Sequence, residues 1–210
     1  MYRPQSFRVS DPAVLFEFME RYSFATFIST IEGAPFATHL PLIVDRDHAP
    51  QGAILGHMAR ANPHWQAFDR PQEVLTIFHG PHSYISPTWY VTEPAVPTWN
   101  YAAVHVYGIP RIIEDQAWLS SLVDRLSAIY ESDKPQPWTA DVPADFKAKL
   151  LRAIVGFEIA ITRIEGKFKF GQNRPHEDQL QVVQQLEQSA DPVARALGEM
   201  TKQRLEKESS

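Results

Sequence analysis

Apolar residues that alternate with a period of two mark the β-strands of this chain. The clearest case is the segment 98–108, where successive residues supply an aromatic face and a more aliphatic face. Both faces are largely apolar, so we expect this strand to be covered on both sides. Shorter apolar runs predict further strands at residues 24–31, 36–44, 53–58, 74–78, 83–86, 111–113, 157–164 and 167–170.

Turn-forming residues separate these runs and indicate hairpins. Glu32-Gly33 joins the first two strands, and Gly80-Pro81 and Glu165-Gly166 predict turns between later ones. Pro41 cannot donate a backbone hydrogen bond, which predicts an edge or bulged position within its strand. Residues 45–52 are predicted to form a loop.

Apolar residues at helical spacing follow aspartate caps at several points. The helices are predicted at residues 11–22, 63–68, 115–130, 143–154, 176–189 and 192–206. Asp11, Asp115 and Asp191 are the predicted caps, and Gly156 is expected to end the fourth helix. The last two helices are poor in large apolar side chains, which leaves three arrangements open: packing on the surface, packing on a partner subunit, or mobility.

The order of these elements predicts the fold class. Short strands come first, in hairpins rather than in strand–helix–strand units, which favours a mainly β fold with an antiparallel barrel and peripheral helices. We expect a barrel domain over residues 1–174 and a C-terminal helical extension over residues 175–210.

Composition excludes several function classes. The 210 residues include no cysteine, which rules out disulfides, thiolate metal sites and cysteine nucleophiles. The net charge is −5 with histidines neutral, so the chain is not a bulk electrostatic binder of nucleic acid. No apolar run is long enough to span a bilayer, and the first residues show no signal-peptide core. We therefore expect a cytoplasmic protein with no membrane partner.

Sequence motifs for common chemistry are absent. The chain has no GxGxxG after a strand, no GxxxxGK[ST], no HExxH and no GxSxG. The spacings His79-x-x-His82 and His57 to His64 lack a carboxylate at ligand distance, so we predict hydrogen-bonded histidines and no metal site. The adjacent Trp99 and Asn100 offer a stacking surface and an amide, which suits a planar polar ligand.

Four blocks together resemble one family. They are GHMARANPHW (56–65), FHGPHSYISPTWY (78–90), VPTWNYAAVHVYG (96–108) and KFGQNR (169–174). In this order they are similar to the PaiB-type, FMN-binding negative transcriptional regulator family. The resemblance implies the FMN-binding split barrel, a fold shared with pyridoxine 5′-phosphate oxidases and flavin reductases. It also implies a homodimer with FMN bound at the subunit interface.

The resemblance further implies which residues contact FMN. They are Thr38, His39, Leu40, His57, Met58, Ala59, Arg60, Asn62, Tyr84, Ile85, Ser86, Trp99, Asn100, Gln172 and Asn173. Arg60 stands where split-barrel oxidases carry an Arg-Lys pair for the phosphate, but Ala61 replaces the lysine, so Asn62 or a residue of another strand has to substitute. Trp99 and Asn100 would come from the second subunit. Lys169 and Arg174 are secondary candidates.

Three functions remain open on the sequence. A regulator is implied by the family, although no helix-turn-helix is visible, so a DNA or protein partner is an expectation only. An FMN-dependent reductase or pyridoxamine-phosphate-oxidase-like enzyme fits the same blocks, because the cofactor itself carries the chemistry and no general base is needed. Haem binding would need an axial ligand, which His39, His57 or His105 could supply.

Overall fold

Eight strands and five α-helices form the part of the chain that the computed structural model describes, residues 1–48, 50–69, 72–139 and 141–209. The strands are β1 (Arg8–Val9), β2 (Phe24–Ile31), β3 (Ala34–Pro41), β4 (Ile43–Asp45), β5 (Ala53–Ala59), β6 (Val74–Ile85), β7 (Thr98–Ile113) and β8 (Ile154–Lys169). The helices are α1 (Pro12–Arg21), α2 (Gln116–Glu131), α3 (Ala144–Arg152), α4 (His176–Glu187) and α5 (Pro192–Ser209). Short 3-10 helices lie at Gln5–Phe7, Pro63–Asp69 and Pro87–Trp89. The predicted loop 45–52 contains Ala49, which lies outside the described residues.

Hydrogen bonds join the strands in the order β3-β2-β6-β7-β8-β5-β4, and β1 pairs with β8. The pairs β1–β8, β2–β3, β2–β6, β4–β5 and β5–β8 are antiparallel. The two ends of this order, β3 and β4, are separated along the chain by Leu42 alone. The continuous segment from β3 to β4 thus pairs with β2 through its first part and with β5 through its last part, and the predicted antiparallel barrel is confirmed.

The first hairpin forms as its turn residues predict. Glu32 and Gly33 both have positive φ, 52° and 82°, which is the backbone of a two-residue hairpin turn. From this turn the pairing runs without interruption from Ile31↔Ala34 to Phe24↔Pro41. Pro41 is the last residue of β3 and stands at the end of the strand order, as expected for a residue with no backbone donor.

The aspartate caps are also where the sequence places them. Asp11 Oδ1 accepts from the backbone N–H of Ala13 at 2.9 Å, and Asp115 Oδ1 accepts from that of Trp118 at 2.7 Å. Asp191 Oδ1 accepts from Val193 at 2.9 Å. Each carboxylate satisfies a donor that the first helical turn leaves unpaired.

Two predicted turns were wrong, because both segments lie inside long strands. β6 continues through Gly80 and Pro81, where the sequence indicates a turn. Its pairing with β2 spans residues 75–77, so Pro81 lies beyond the stretch in which β2 needs a donor. β8 continues through Gly166, which pairs with Val9; a Cβ at Gly166 would clash with Leu15, so this glycine permits close packing instead of a turn.

The predicted end of the fourth helix was wrong for a similar reason. α3 ends at Arg152, and the chain enters β8 at Ile154. Gly156 therefore does not break a helix but lies opposite His57 in the β5–β8 pair. A Cβ at Gly156 would stand 2.6 Å from Trp118 Cζ3, so only glycine lets the α2 side chain approach the strand this closely.

Internal packing divides the chain into two compact units. Unit 1 comprises residues 1–15, 79–104 and 165 onward, and unit 2 comprises residues 16–78 and 105–164. In unit 2, the rings of Phe27, Phe68 and Phe157 pack with centroids 5.4 to 5.7 Å apart. The predicted domain boundary at residue 174 stays a prediction.

The C-terminal helices belong to unit 1 and are packed on each other. Leu186 of α4 and Leu197 of α5 are fully buried, and Val182 and Leu205 are nearly so. α4 also packs on the 3-10 helix Pro87–Trp89. No described helix is both long and apolar enough to cross a bilayer.

Candidate functional site

A buried histidine organises the polar side chains of unit 2. His64, in the 3-10 helix Pro63–Asp69, has no exposed surface. Its Nε2 lies 2.7 Å from Ser29 Oγ and its Nδ1 lies 2.7 Å from Thr38 Oγ1, while its ring packs on Phe27 with centroids 4.5 Å apart. Burial lowers the pKa of His64 to about 4, so at neutral pH the uncharged ring links two hydroxyl groups.

Asn62 hydrogen-bonds both to His64 and to Thr38, one of the predicted FMN residues. Its Nδ2 donates to Thr38 Oγ1 at 3.1 Å, and its Oδ1 accepts from the backbone N–H of His64 at 3.0 Å. Two residues that the resemblance assigns to FMN, Thr38 and Asn62, are therefore in direct contact. The sequence predicted a hydrogen-bonded His64, which is confirmed, but did not show that it holds this pair together. Its place in the block 56–65 was the available signal, whereas nothing in the sequence indicated Ser29.

The neighbouring predicted residues on β3 differ in exposure. Leu40 is buried, with 4% of its surface exposed. His39 is exposed, and its Nδ1 lies 3.1 Å from Thr26 Oγ1 across the β2–β3 pair. The two side chains alternate between the core and the solvent, as the pleat of a strand requires.

His57, on β5, carries an unpaired buried atom. Its Nδ1 is buried and has no hydrogen-bond partner among the described residues. Burial lowers the pKa of the ring. Its neighbours Met58 and Ala59 are buried and exposed, respectively. A buried ring nitrogen without a partner costs free energy unless a ligand satisfies it, so His57 suits a cofactor contact.

Arg60 is fixed by the chain itself. Its Nη1 donates to Glu114 Oε1 at 2.8 Å, and its Nε and Nη2 donate to the carbonyl oxygens of Arg152 and Ile154, each at 3.2 Å. The guanidinium also lies over the Trp65 ring, 5.9 Å from its centroid. Each Nη retains a second N–H that could reach a phosphate, so the predicted phosphate role of Arg60 stays a prediction.

In unit 1, three aromatic side chains of β6 and β7 form an exposed aromatic patch, which we define as His82, Tyr84 and Trp99. Trp99 is 54% exposed and Tyr84 is 46% exposed. The Tyr84 ring meets Trp99 edge-on, with centroids 6.2 Å apart and an interplanar angle of 73°. The His82 ring lies at the same centroid distance from Trp99. Large exposed rings at adjacent strands provide a flat surface for a planar ligand.

Asn100 lies next to this patch and is buried, with 2% of its surface exposed. Its Oδ1 has no hydrogen-bond partner within the described residues. The turn after β8 passes close to it, since a Cβ at Gly171 would lie 3.8 Å from Asn100 Nδ2. This turn brings the block 169–174 to Asn100.

Gln172 and Asn173, also predicted to contact FMN, lie in this turn. Gln172 braces it: its Oε1 accepts from the Phe170 N–H at 2.8 Å, and its Nε2 donates to the Phe168 carbonyl at 2.6 Å. Asn173 is exposed. The amide of Gln172 therefore has a structural role, while that of Asn173 is accessible to a ligand.

Ile85 and Ser86 end β6. Ile85 is fully buried, and Ser86 Oγ caps the 3-10 helix Pro87–Trp89 by accepting from the Thr88 N–H at 3.2 Å. Both side chains thus have local structural partners. Their assignment to FMN stays a prediction.

The segment that leads to β7 is held by α4. Asp178 is fully buried, and its Oδ1 accepts from the backbone N–H groups of Val91 and Thr92 at 2.8 and 3.0 Å. Its Oδ2 accepts from Thr92 Oγ1 at 2.5 Å. Arg174 lies over the Tyr90 ring, 4.3 Å from its centroid, and burial is the main cause that raises the pKa of Tyr90. No sequence pattern indicated the role of Asp178.

The groups of unit 1 fit a flavin. A flavin needs a flat contact for its ring and hydrogen bonds at the ring edge, and unit 1 offers the exposed Trp99 and the unsatisfied buried Oδ1 of Asn100. Within the described ranges, no group of three or more His, Asp or Glu side chains could hold a metal ion.

Structural similarity supports the fold assignment. The flavocytochrome Anf3 from Azotobacter vinelandii matches with a TM-score of 0.65 at 15% identity, over 86% of this chain and 78% of that one. The FAD and heme binding protein from Mycobacterium smegmatis matches with a TM-score of 0.60 at 12% identity, over 82% of this chain and 78% of that one. At these identities the likeness concerns the fold alone.

Sequence similarity identifies the family. The sequence model described as "Putative FMN-binding domain" matches residues 1–163. "Protease synthase and sporulation protein PAI 2" from Bacillus subtilis is 38% identical over 212 aligned residues, which cover 99% of this chain and 100% of that protein. An uncharacterized Aspergillus fumigatus protein is 30% identical over 80% of this chain and 82% of that protein. These findings confirm the predicted resemblance to PaiB-type proteins and the predicted FMN cofactor, and the chain belongs to the FMN-binding domain family.

Proposed function

We propose that this protein is a homodimeric FMN-binding regulator whose flavin is its functional group. The observation that carries the proposal is the pairing of an exposed Trp99 with Asn100, a buried amide whose Oδ1 lacks a partner among the described residues. A globular protein rarely leaves a buried carbonyl unsatisfied beside an exposed indole unless a ligand covers both.

In this proposal Trp99 stacks on the flavin ring and Asn100 accepts a hydrogen bond from its polar edge. Following the family resemblance, these two residues act on the FMN of the partner subunit. The unsatisfied Nδ1 of His57 would find a partner in FMN. The pair Thr38 and Asn62, held by His64, would supply hydroxyl and amide groups. Bound FMN supplies the electron-transfer chemistry.

Regulation without direct DNA contact fits the chain best. The net charge is −5, and two cations of α5 are ion-paired, Lys202 with Glu187 at 3.0 Å and Arg204 with Glu208 at 2.6 Å. The name of the Bacillus subtilis relative, "Protease synthase and sporulation protein PAI 2", mentions no DNA target. We therefore propose that the flavin state is passed to a protein partner in the cytoplasm.

An FMN-dependent reductase is a second candidate, favoured by the aromatic patch. His82 and Tyr84 flank Trp99 and are exposed, so a reductant such as a nicotinamide could approach the same surface. Anaerobic addition of NADH or NADPH to the FMN-loaded protein tests this candidate. Bleaching of the flavin absorbance supports a reductase, and an unchanged spectrum with both nucleotides rejects it.

The test of FMN binding is a titration followed by absorbance and flavin fluorescence. We expect the protein to shift and quench FMN, and Trp99→Ala to weaken binding while Trp138→Ala, an exposed tryptophan of unit 2, leaves it unchanged. Analytical ultracentrifugation should show a dimer. A protein that neither shifts nor quenches FMN would refute the proposal, and a Soret band on adding haem would replace it with the haem alternative.

A further inference from the structure

Lys169 is a cation without a matching anion in the part of the chain that the structure describes. Its Nζ donates to the carbonyl oxygen of Trp99 at 2.9 Å and to the hydroxyl of Thr98. None of the ion pairs among the described residues includes it. An ammonium group has three donors, so these two neutral acceptors leave one N–H for a ligand.

The surroundings of Lys169 disfavour a bare charge. Burial lowers its pKa, and the positive charge of Lys167 lowers it further. Lys167 is itself nearly buried, with its Nζ 5.2 Å from the ring centroid of Tyr101 and 5.5 Å from that of Tyr2. Two lysines lie on one strand, and no carboxylate among the described residues pairs with Lys169, so an anion from outside the chain would stabilise its charge.

The position of Lys169 indicates which anion this is. The carbonyl that holds its ammonium belongs to Trp99, the residue that offers its exposed indole to a planar ring. Asn100, with its unsatisfied Oδ1, is the next residue. In FMN the ribityl chain separates the phosphate from the ring. A cation fixed at Trp99, which stacks on the ring, therefore lies near the ring and away from the phosphate.

We propose that Lys169 stabilises negative charge on the ring of reduced FMN, so that the protein binds reduced FMN more tightly than oxidised FMN. This inference rests on the proposed flavin contact at Trp99 and Asn100. The oxidised ring is neutral, whereas the ring of fully reduced FMN readily carries a negative charge near N1 and the C2 carbonyl. A single ammonium donor therefore discriminates between the two forms.

The experiment compares Lys169→Met with the wild type, using oxidised FMN, dithionite-reduced FMN and riboflavin under anaerobic conditions. Dissociation constants are measured by equilibrium dialysis. We expect Lys169→Met to weaken binding of reduced FMN about tenfold more than binding of oxidised FMN. That ratio corresponds to a lowering of the two-electron midpoint potential by about 30 mV, which redox titration checks independently. Riboflavin, which lacks the phosphate, should show the same discrimination.

Lys167→Met is the matched control, since it removes the same charge two residues away, and it should change the ratio by less than about twofold. Lys169→Arg keeps the charge and should retain most of the discrimination, while circular dichroism confirms folding of each variant. The inference is overturned if Lys169→Met weakens both oxidation states equally, if it affects FMN but not riboflavin, or if Lys167→Met has the same effect. Should the wild type bind neither form of FMN, the proposed function itself fails, and this inference with it.

Discussion

Replacing Asn100 with leucine separates the stability of the apoprotein from its affinity for FMN. In the structure the Asn100 side chain is 2% exposed and its Oδ1 has no partner among the described residues. An unsatisfied buried carbonyl costs about 1 to 3 kcal/mol, and leucine has the same branched arrangement of heavy atoms without the polar atoms. We therefore expect Asn100→Leu to raise the free energy of unfolding of the apoprotein by about 1 kcal/mol.

The same change should weaken FMN binding, because the amide can no longer accept a hydrogen bond from the ligand. Loss of one such bond corresponds to about a tenfold rise in Kd. With FMN at 100 times the wild-type Kd, bound ligand adds about 2.7 kcal/mol to the stability of the wild type but only about 1.4 kcal/mol to that of the variant. Asn100→Leu is thus more stable than the wild type without FMN and loses this advantage when FMN is present.

Urea denaturation with and without FMN measures both quantities in one assay. Thr76→Val is the matched control, since Thr76 is fully buried on β6 and its Oγ1 likewise lacks a partner among the described residues, yet it is not a predicted FMN contact. Thr76→Val should raise the free energy of unfolding by the same amount with and without FMN. If Asn100→Leu destabilises the apoprotein, or if FMN stabilises it as much as the wild type, the reasoning about Asn100 is wrong.

Three further outcomes follow from the contacts described above. Asp178→Ala leaves the N–H groups of Val91 and Thr92 unsatisfied and should lower the free energy of unfolding by about 3 kcal/mol in urea melts. Asp178→Asn can still accept from both groups and should lower it by about 1 kcal/mol. His64 has a folded-state pKa below its ordinary value, so protons bind the unfolded chain more tightly. The free energy of unfolding of the wild type should therefore fall as pH drops from 6.5 towards 4, by about 1 kcal/mol at pH 5.5. This part of the pH dependence should vanish in His64→Gln. Trp99→Phe should keep most of the FMN affinity that Trp99→Ala loses, as measured by fluorescence titration, and equal losses would argue against stacking.

The barrel was predictable because its signals are local. Alternation in β7, the Glu32-Gly33 turn and the three aspartate caps each depend on a few neighbouring residues, and all appear in the structure as expected. Two of the errors fell on glycines whose structural reason is a contact with a residue distant in sequence. Gly156 accommodates Trp118 and Gly166 accommodates Leu15, contacts that no local pattern reveals.

The candidate site was predictable in part for the same reason. The family resemblance located Trp99, Asn100, Thr38 and Asn62, but not the residues that hold them. His64 reaches Ser29 across 35 positions, and Asp178 reaches Thr92 across 86 positions. Such partners are set by tertiary packing, so a single sequence carries no spacing that identifies them.

Leu42 joins β3 and β4, the two ends of the strand order, through a single residue. It is 2% exposed, its N–H donates to the Ser23 carbonyl at 3.0 Å, and it passes the chain directly from β3 to β4. Open sheet edges are where β-proteins pair with other chains and aggregate, and here one continuous segment pairs with β2 through β3 and with β5 through β4. Length variation in this family should therefore avoid residue 42, and a chain circularly permuted at that point should expose two edges at once and lose solubility before it loses its secondary structure.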